Sequence, residues 1–343
     1  MDGKSKVLLV GAGGVGILAA LALESGGKAN VTAVLRSNYD VVEKSGFEID
    51  SIEHGSDIKG FRPSKITKTV PDVASEASPF DYVVVTTKNI PEVAPTVADI
   101  IAPAVTPGHT GILLLQNGLN IERPLVERFP TNPILSGISL VGSTEYEKGK
   151  IKQDDKDVLK IGPFDSPHVP KDVATTSAKR FVELYSACGK VDCTYDDDVT
   201  ASRWRKLVYN STFNSVGAIL GMDTSRMRMY EHVIDDLVKP AMIEIKAVAS
   251  ASGVQLPDDI VDSMIKVDPP HAFFKPSMAQ DAEKGNFMEI ETIVGEPVRE
   301  ASRLGVPVPT LTVIYGILKG LQAKVKEERG LIAPKFADGS RYV

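Results

Sequence analysis

Val7-Leu8-Leu9-Val10-Gly11-Ala12-Gly13-Gly14-Val15-Gly16-Ile17-Leu18-Ala19-Ala20 decides the fold of this chain. An apolar run without polar alternation suits a strand buried on both faces. The turn that follows places glycines at Gly11, Gly13 and Gly16, the G-x-G-x-x-G spacing. Gly11 makes the tight turn, Gly13 lets the backbone approach a pyrophosphate, and Gly16 lets the helix pack closely on the strand. Ala12, Gly14 and Val15 complete a loop at a helix N-terminus, where unpaired N–H groups and the helix dipole favour anions. Glycine-rich turns are common, but this one follows a strand and opens a helix ending at Gly26-Gly27 before a second strand. That context marks a dinucleotide-binding turn.

Outward from this turn, short apolar runs alternate with helical segments, the pattern of a doubly wound parallel sheet covered by helices. Strands are expected at Lys6–Val10, Val31–Arg36, Tyr82–Thr87, Gly111–Leu115, Ile134–Leu140 and Val158–Ile161. A helix from about Lys171 to Ala187 and a strand Lys190–Thr194 close the domain. After Asp196-Asp197-Asp198 helical patterns dominate to about Arg329. The expected organisation is a Rossmann-type α/β domain over residues 1–197, an all-α domain over 198–330 and a turn-rich tail over 331–343. Pro240 and Pro297 should kink or break helices, and Gly253 and Gly305 should end them.

Composition bounds the function. The 343 residues are 43% hydrophobic and 24% charged, ordinary globular values for two domains, with a net charge of -6. No basic run or stripe points to nucleic acid or an anionic membrane surface. The first residues have no secretory-signal organisation and no run reaches the length of a membrane span, so the expectation is a soluble, cytoplasmic protein. Cys188 and Cys193 are too few for a disulfide framework and read as free thiols. The five histidines lie mostly in loops or polar segments, and no His/Asp/Glu group has ligand spacing, so no metal is expected.

Strand ends narrow the cofactor. An acidic residue after the second strand would hold the ribose 2′-hydroxyl of NAD, but the chain reads Val34-Leu35-Arg36-Ser37-Asn38. The Arg36 guanidinium and Ser37 hydroxyl suit a 2′-phosphate, which favours NADP(H) over an exposed surface arginine of no function. Lys88 and Gln116-Asn117-Gly118 follow two further strands, where ligands of open α/β sheets bind; by spacing alone Lys88 fits a solvated charge and Asn117-Gly118 a turn equally well.

The second half carries a polar stripe on an otherwise apolar helix, Arg203–Leu220. Lys206, Asn210 and Asn214 recur every four residues, a spacing that drifts by only about 40° per step, so they share a face. Leu207, Val208, Phe213, Val216 and Ile219 spread apolar character around the rest, which marks a buried helix rather than a solvated face. Reducing a carbonyl requires a proton or a strong hydrogen bond at its oxygen, and an ordinary lysine is protonated at neutral pH.

These blocks resemble the ketopantoate reductase family, NADPH-dependent 2-dehydropantoate 2-reductases. The match runs in order through the glycine turn, Thr86-Thr87-Lys88, Gln116-Asn117-Gly118, Trp204-Arg205-Lys206-Leu207 with Asn210 and Asn214, and Pro276-Ser277-Met278-Ala279-Gln280-Asp281 with Gly285 and Glu289. The resemblance implies a Rossmann domain followed by a helical domain like the C-terminal domain of 6-phosphogluconate dehydrogenase. It implies Lys206 as catalytic lysine, Glu289 as essential carboxylate, Asn117, Asn210 and Asn214 as active-site amides, Ser277 as a substrate-carboxylate ligand and Lys88 near the cofactor. Glu283 and Glu291 lie close to Glu289, and Ser277 also fits a helix N-terminus. Phe274, Asn286 and Met288 depart from the family pattern, and His271-Ala272-Phe273-Phe274 is apolar. A branched 2-keto acid without a terminal hydroxyl, such as 2-ketoisovalerate, therefore competes with 2-dehydropantoate as the substrate. A reductase of sugar acids or polyol phosphates is a further enzyme reading, and a non-catalytic NADP(H)-sensing protein is a reading from another class. The expected partner is a small 2-keto acid, with a homodimer compatible with the helical domain.

Overall fold

In the first strand Val7 and Leu9 face one side of a sheet while Leu8 and Val10 face the other, and all four are buried. The same alternation divides Tyr82 and Val84 from Val83 and Val85, and Leu113 from Ile112 and Leu114. Side chains alternate across a strand, so a run that is apolar throughout must be covered on both faces. Each fully buried aliphatic side chain contributes roughly 1.5–3 kcal/mol, and two hydrophobic layers thus hold the sheet from either side.

The computed structural model describes residues 3–76, 78–336 and 338–342, and the chain divides after Arg203 into two compact units. The first unit's strands are β1 (Ser5–Val10), β2 (Ala29–Val34), β3 (Phe47–Ser51), β4 (Gly55–Phe61), β5 (Lys65–Thr67), β6 (Tyr82–Val85), β7 (Gly111–Leu114), β8 (Ile134–Ser139), β9 (Ser143–Glu147), β10 (Lys150–Gln153), β11 (Val158–Pro163) and β12 (Asp192–Tyr195). The main sheet has the order β12-β11-β8-β7-β6-β1-β2-β5. From β1 the chain winds outward through β2 and β5, then returns to β6 on the other side and winds through β7 and β8. Between β1 and β6 lies the switch point of a Rossmann fold.

Two departures from the expected parallel sheet share a cause. β11 pairs antiparallel with β8, whereas the other pairs of the main sheet are parallel. A parallel return needs a crossover of a dozen or more residues, usually a helix. Here the chain between β8 and β11 forms the β9–β10 hairpin instead. That hairpin joins β3 and β4 in a second sheet, order β4-β3-β10-β9, which no pattern in the sequence announces. Helix Gly14–Ser25 touches both sheets, which explains why Gly16–Leu23 is buried around the whole helix. Helix Lys171–Ser186 covers the same face, with Phe181 edge-on to Tyr82 at 5.1 Å between ring centroids.

The second unit is helical, with no strand among its described residues. Its expected continuous helix is interrupted: α-helix Val199–Tyr209 leads into a π-helical turn, Asn210–Asn214, and then α-helix Ser215–Leu220. Pro240 and Pro297 do not break their helices. Each stands at the start of an α-helix that directly continues a π turn, Ile234–Val238 before Pro240 and Glu291–Gly295 before Pro297. Proline has no N–H and crowds the carbonyl four residues back; the wider i→i+5 turn relieves that conflict without ending the helix. Gly305 ends the helix Glu296–Leu304 in the left-handed conformation, φ 71°. Among the described residues no helix is long and apolar enough to cross a membrane.

Candidate functional site

The C-terminal edge of the main sheet is knitted together by short hydrogen bonds from one strand end to the next. Thr86 Oγ1, just past β6, donates to the Gly11 carbonyl at 2.7 Å. Gln116 Nε2, just past β7, donates to the Thr87 carbonyl at 2.5 Å. Two of the three fingerprint glycines, Gly11 and Gly16, have no room for a side chain. Gly11 has φ 113°, and a Cβ there would lie 2.6 Å from Thr87 N; one at Gly16 would lie 2.1 Å from the Gly11 carbonyl oxygen. Around Gly13, by contrast, a Cβ would meet nothing within 4 Å. Gly13 is the N-cap of the twelve-residue helix Gly14–Ser25, so its open side faces the positive end of a helix dipole. A closed turn with one open glycine at a helix N-terminus fits the pyrophosphate of a dinucleotide.

Sequence reading missed the residues that brace this loop. Asn38, 4% exposed, donates through Nδ2 to the Ala12 carbonyl at 3.1 Å and to Glu145 Oε1 at 3.0 Å. Glu145 lies in β9, and Ser143 of the same strand packs so closely that a Cβ on Gly14 would fall 2.5 Å from Ser143 Oγ. That Oγ is buried without a hydrogen-bond partner among the described residues. The unexpected small sheet thus bears directly on the cofactor loop. No sequence signal marked it, because Asn38 reads as a turn residue and Glu145 as a surface acid.

Arg36 and Ser37 follow the end of β2 and are exposed, as is Lys88 three residues past β6. Asn117 is half-buried between Gln116 and Gly118, whose carbonyls both accept from Arg203 Nη1, at 3.2 and 2.8 Å. Arg203 also donates through Nε to Ser136 Oγ at 3.0 Å and pairs with Glu122 Oε1 at 2.9 Å. Both partners of this ion pair are buried; burial lowers the Arg203 pKa and the Glu122 carboxylate opposes that shift.

In the second unit Asn210 and Asn214 are buried and Lys206 is half-buried, one turn before the π segment. In an i→i+5 turn each residue rotates the chain by less than in an α-helix, which offsets the drift between Asn210 and Asn214 that ideal α spacing imposes. Ser211 Oγ donates to the Ile293 carbonyl at 2.6 Å, joining this π turn to Glu291–Gly295. Glu289, 9% exposed, stands two residues before that second π turn. Its neighbour Met288 is pinned by Gln322 in both directions: Met288 N–H donates to Oε1 at 3.1 Å, and Nε2 donates to the Met288 carbonyl at 3.0 Å. Lys206, Asn210, Asn214 and Glu289 are therefore carried by two joined, buried segments. Ser277 is exposed at the start of helix Ser277–Glu283, which packs against Ser215–Leu220, and its side chain does not cap that helix. Glu291 accepts from Tyr315 and pairs with Arg299, an arrangement that sets it apart from Glu289. Among the described residues no group of three or more His, Cys, Asp or Glu could hold a metal.

The first unit is a dinucleotide-binding Rossmann fold and the second an all-helical unit that buries Asn210, Asn214 and Glu289 and half-buries Lys206. A family model described as ketopantoate reductase PanE/ApbA matches residues 7–166, and its C-terminal counterpart matches residues 198–322. The chain belongs to the ketopantoate reductase family, oxidoreductases of 2-keto acids. It is 39% identical to an uncharacterized protein of Saccharomyces cerevisiae over 96% of both chains. The solved 2-dehydropantoate 2-reductase of Methylococcus capsulatus is 29% identical, with a TM-score of 0.78 over 98% of this chain and all of that one. A D-mandelate dehydrogenase solved with NADH and anilino(oxo)acetate shares the fold, with TM-score 0.79, 19% identity, and coverage of 94% of this chain and 99% of its own.

Proposed function

We propose that the protein reduces a branched 2-keto acid, 2-dehydropantoate first, to its 2-hydroxy acid with NADPH. The observation that carries this reading is the burial of Asn210, Asn214 and Glu289, with Lys206 half-buried one turn away, on two segments tied by the Ser211–Ile293 bond. Burying one carboxylate and two amides is costly unless they are partnered, and a solvated helix face would need none of them inside. The bound cofactor supplies the hydride. Gly11 to Gly16 would hold its pyrophosphate, Arg36 and Ser37 would hold its 2′-phosphate, and Lys88 and Asn117 would contact the cofactor.

As the keto carbon gains hydride its oxygen gains negative charge, and Lys206 Nζ donates a proton there. Glu289 keeps that ammonium charged and oriented. Asn210 and Asn214 align the substrate without adding net charge, and Ser277 donates to its carboxylate. This would be the pantoate-forming step of pantothenate biosynthesis, in the cytoplasm.

A second substrate reading rests on Phe273 and Phe274, which are 45% and 42% exposed. Their backbone is fixed, since Phe273 N–H donates to Ser225 Oγ at 3.0 Å and the Phe274 carbonyl accepts from Thr224 N–H at 2.9 Å. Two apolar rings near Ser277 favour an alkyl over a hydroxyalkyl chain, as in 2-ketoisovalerate. Following NADPH consumption against 2-dehydropantoate, 2-ketoisovalerate, straight-chain 2-keto acids and sugar acids tests both. The reading expects the highest kcat/KM among the branched 2-keto acids. Turnover confined to sugar acids would move the substrate class, and NADPH binding without turnover of any of them would favour a sensor.

A further inference from the structure

The edge strand β5 ends beside the residues that follow β2. The two pair in parallel, with Thr32 opposite Lys65, Ala33 opposite Ile66 and Val34 opposite Thr67. Leu35 N–H extends the ladder by donating to the Thr67 carbonyl at 2.8 Å. Lys68 therefore leaves β5 at the level where Leu35-Arg36 leave β2, and neighbouring strands lie only about 4.8 Å apart. The end of β2 is where Rossmann folds distinguish a ribose 2′-hydroxyl from a 2′-phosphate.

The Lys68 side chain turns toward that same place. Its Nζ is 4.5 Å from the Tyr39 ring centroid and 2.9 Å from Asp40 Oδ1. Tyr39 closes the turn that starts at Arg36, its N–H donating to the Arg36 carbonyl at 3.4 Å. The amine is thus held at Tyr39 and Asp40, three and four residues after Arg36.

We propose that Lys68 is the second cation of the 2′-phosphate subsite, selecting NADP(H) over NAD(H) together with Arg36. This rests on the NADPH reading and extends it to a residue from a different strand. A phosphate monoester carries up to two negative charges near neutral pH, more than one guanidinium neutralises. The Lys68–Asp40 pair is an easily exchanged holder for the amine: its side chains are 62% and 85% exposed, and exposed pairs contribute only about 0–1 kcal/mol. A phosphate oxygen offers the amine a charge-assisted hydrogen bond in place of the one to this exposed carboxylate. The Tyr39 ring keeps the amine beside the turn in either state through its cation–π contact. Nearby charges are Glu43, which accepts from Tyr39 Oη at 2.9 Å, Lys44 on the same helix, and Arg62, which donates to the Glu43 carbonyl at 3.2 Å.

The test is equilibrium binding of NADPH and of NADH, followed by cofactor fluorescence, with Lys68→Ala, Lys68→Arg and Arg36→Ala. Lys68→Ala should weaken NADPH about tenfold, the size of one hydrogen bond to a charged group, and leave NADH unchanged within about twofold. Lys68→Arg should retain most of the NADPH affinity, and the salt dependence of NADPH binding should flatten in Lys68→Ala. An unchanged NADPH/NADH ratio in Lys68→Ala together with a lowered ratio in Arg36→Ala would remove Lys68 from the subsite while the NADPH reading stood. Unchanged ratios in both variants would overturn the NADPH reading itself. Because Lys68 is exposed, its variants should melt at the wild-type temperature.

Discussion

Replacing Arg203 by Met should destabilise the first unit by about 3–5 kcal/mol at neutral pH, the cost of breaking a buried ion pair from one side. The structure shows why the upper part of that range applies. The Arg203 and Glu122 side chains are 7% and 1% exposed. Glu122 Oε1 also accepts from Ser136 Oγ at 2.6 Å, but Oε2 has no hydrogen-bond partner among the described residues. Without the guanidinium, a nearly inaccessible carboxylate keeps a single hydroxyl donor, and the carbonyls of Gln116 and Gly118 lose theirs. Each lost donor to a buried acceptor costs about 1–3 kcal/mol, although these penalties overlap. Met retains most of the apolar stem, so the loss measures the head group rather than a cavity. Urea unfolding of the first unit, followed by circular dichroism, reads the loss. Removing the stranded charge as well, in Arg203→Met/Glu122→Gln, should recover at least about 1–2 kcal/mol relative to the sum of the single variants. A loss below about 1 kcal/mol in Arg203→Met, or strict additivity in the double variant, would refute the idea that this pair holds the loop bearing Asn117.

Two further outcomes follow from single buried groups. Asn38→Ala should raise the Kd of NADPH and NADH by the same factor, because it loosens the Ala12 loop without touching the 2′-position; a selective loss of one cofactor would place Asn38 in recognition instead. Asp157, 2% exposed, has its pKa raised to about 6, first by burial, against the hydrogen bond from Tyr185 and with help from Glu53. The folded state keeps this proton after the unfolded chain has lost it, so the group's contribution is fully present below about pH 4 and lost as pH rises to about 6. Asp157→Asn keeps an acceptor for Tyr185 and should gain about 2–3 kcal/mol on the wild type between those limits. Parallel stability curves for the two proteins would show that Asp157 does not titrate in this window.

What could be read from residues alone follows from how many faces an element buries. β1, β6 and β7 are covered on both sides and appear as continuous apolar runs, so the doubly wound sheet was legible. β4 and β9 are mostly exposed or half-buried along their length, and β5 has only three residues, so the small sheet and the sheet edge left no pattern. The stripe Lys206, Asn210, Asn214 was legible, but the π turn inside it was not, because a recurrence of four fits either helix. Pro240 and Pro297 read as helix breaks, yet each stands at the start of an α-helix that continues a π turn. Arg203 and Arg205 look alike in sequence, yet one is buried against Glu122 and the other is exposed. Only the distant pairing of β7 and β8 brings Glu122 and Ser136 to the first of them.

The most direct test of the proposed chemistry is steady-state reduction of 2-dehydropantoate and 2-ketoisovalerate by Lys206→Ala, with the NADPH Kd measured on the same preparation. The account predicts that kcat falls about 100- to 10,000-fold, the range expected for losing a positioned general acid, while NADPH affinity stays near wild type. A variant that binds NADPH normally and still reduces its best substrate at close to the wild-type rate would contradict it.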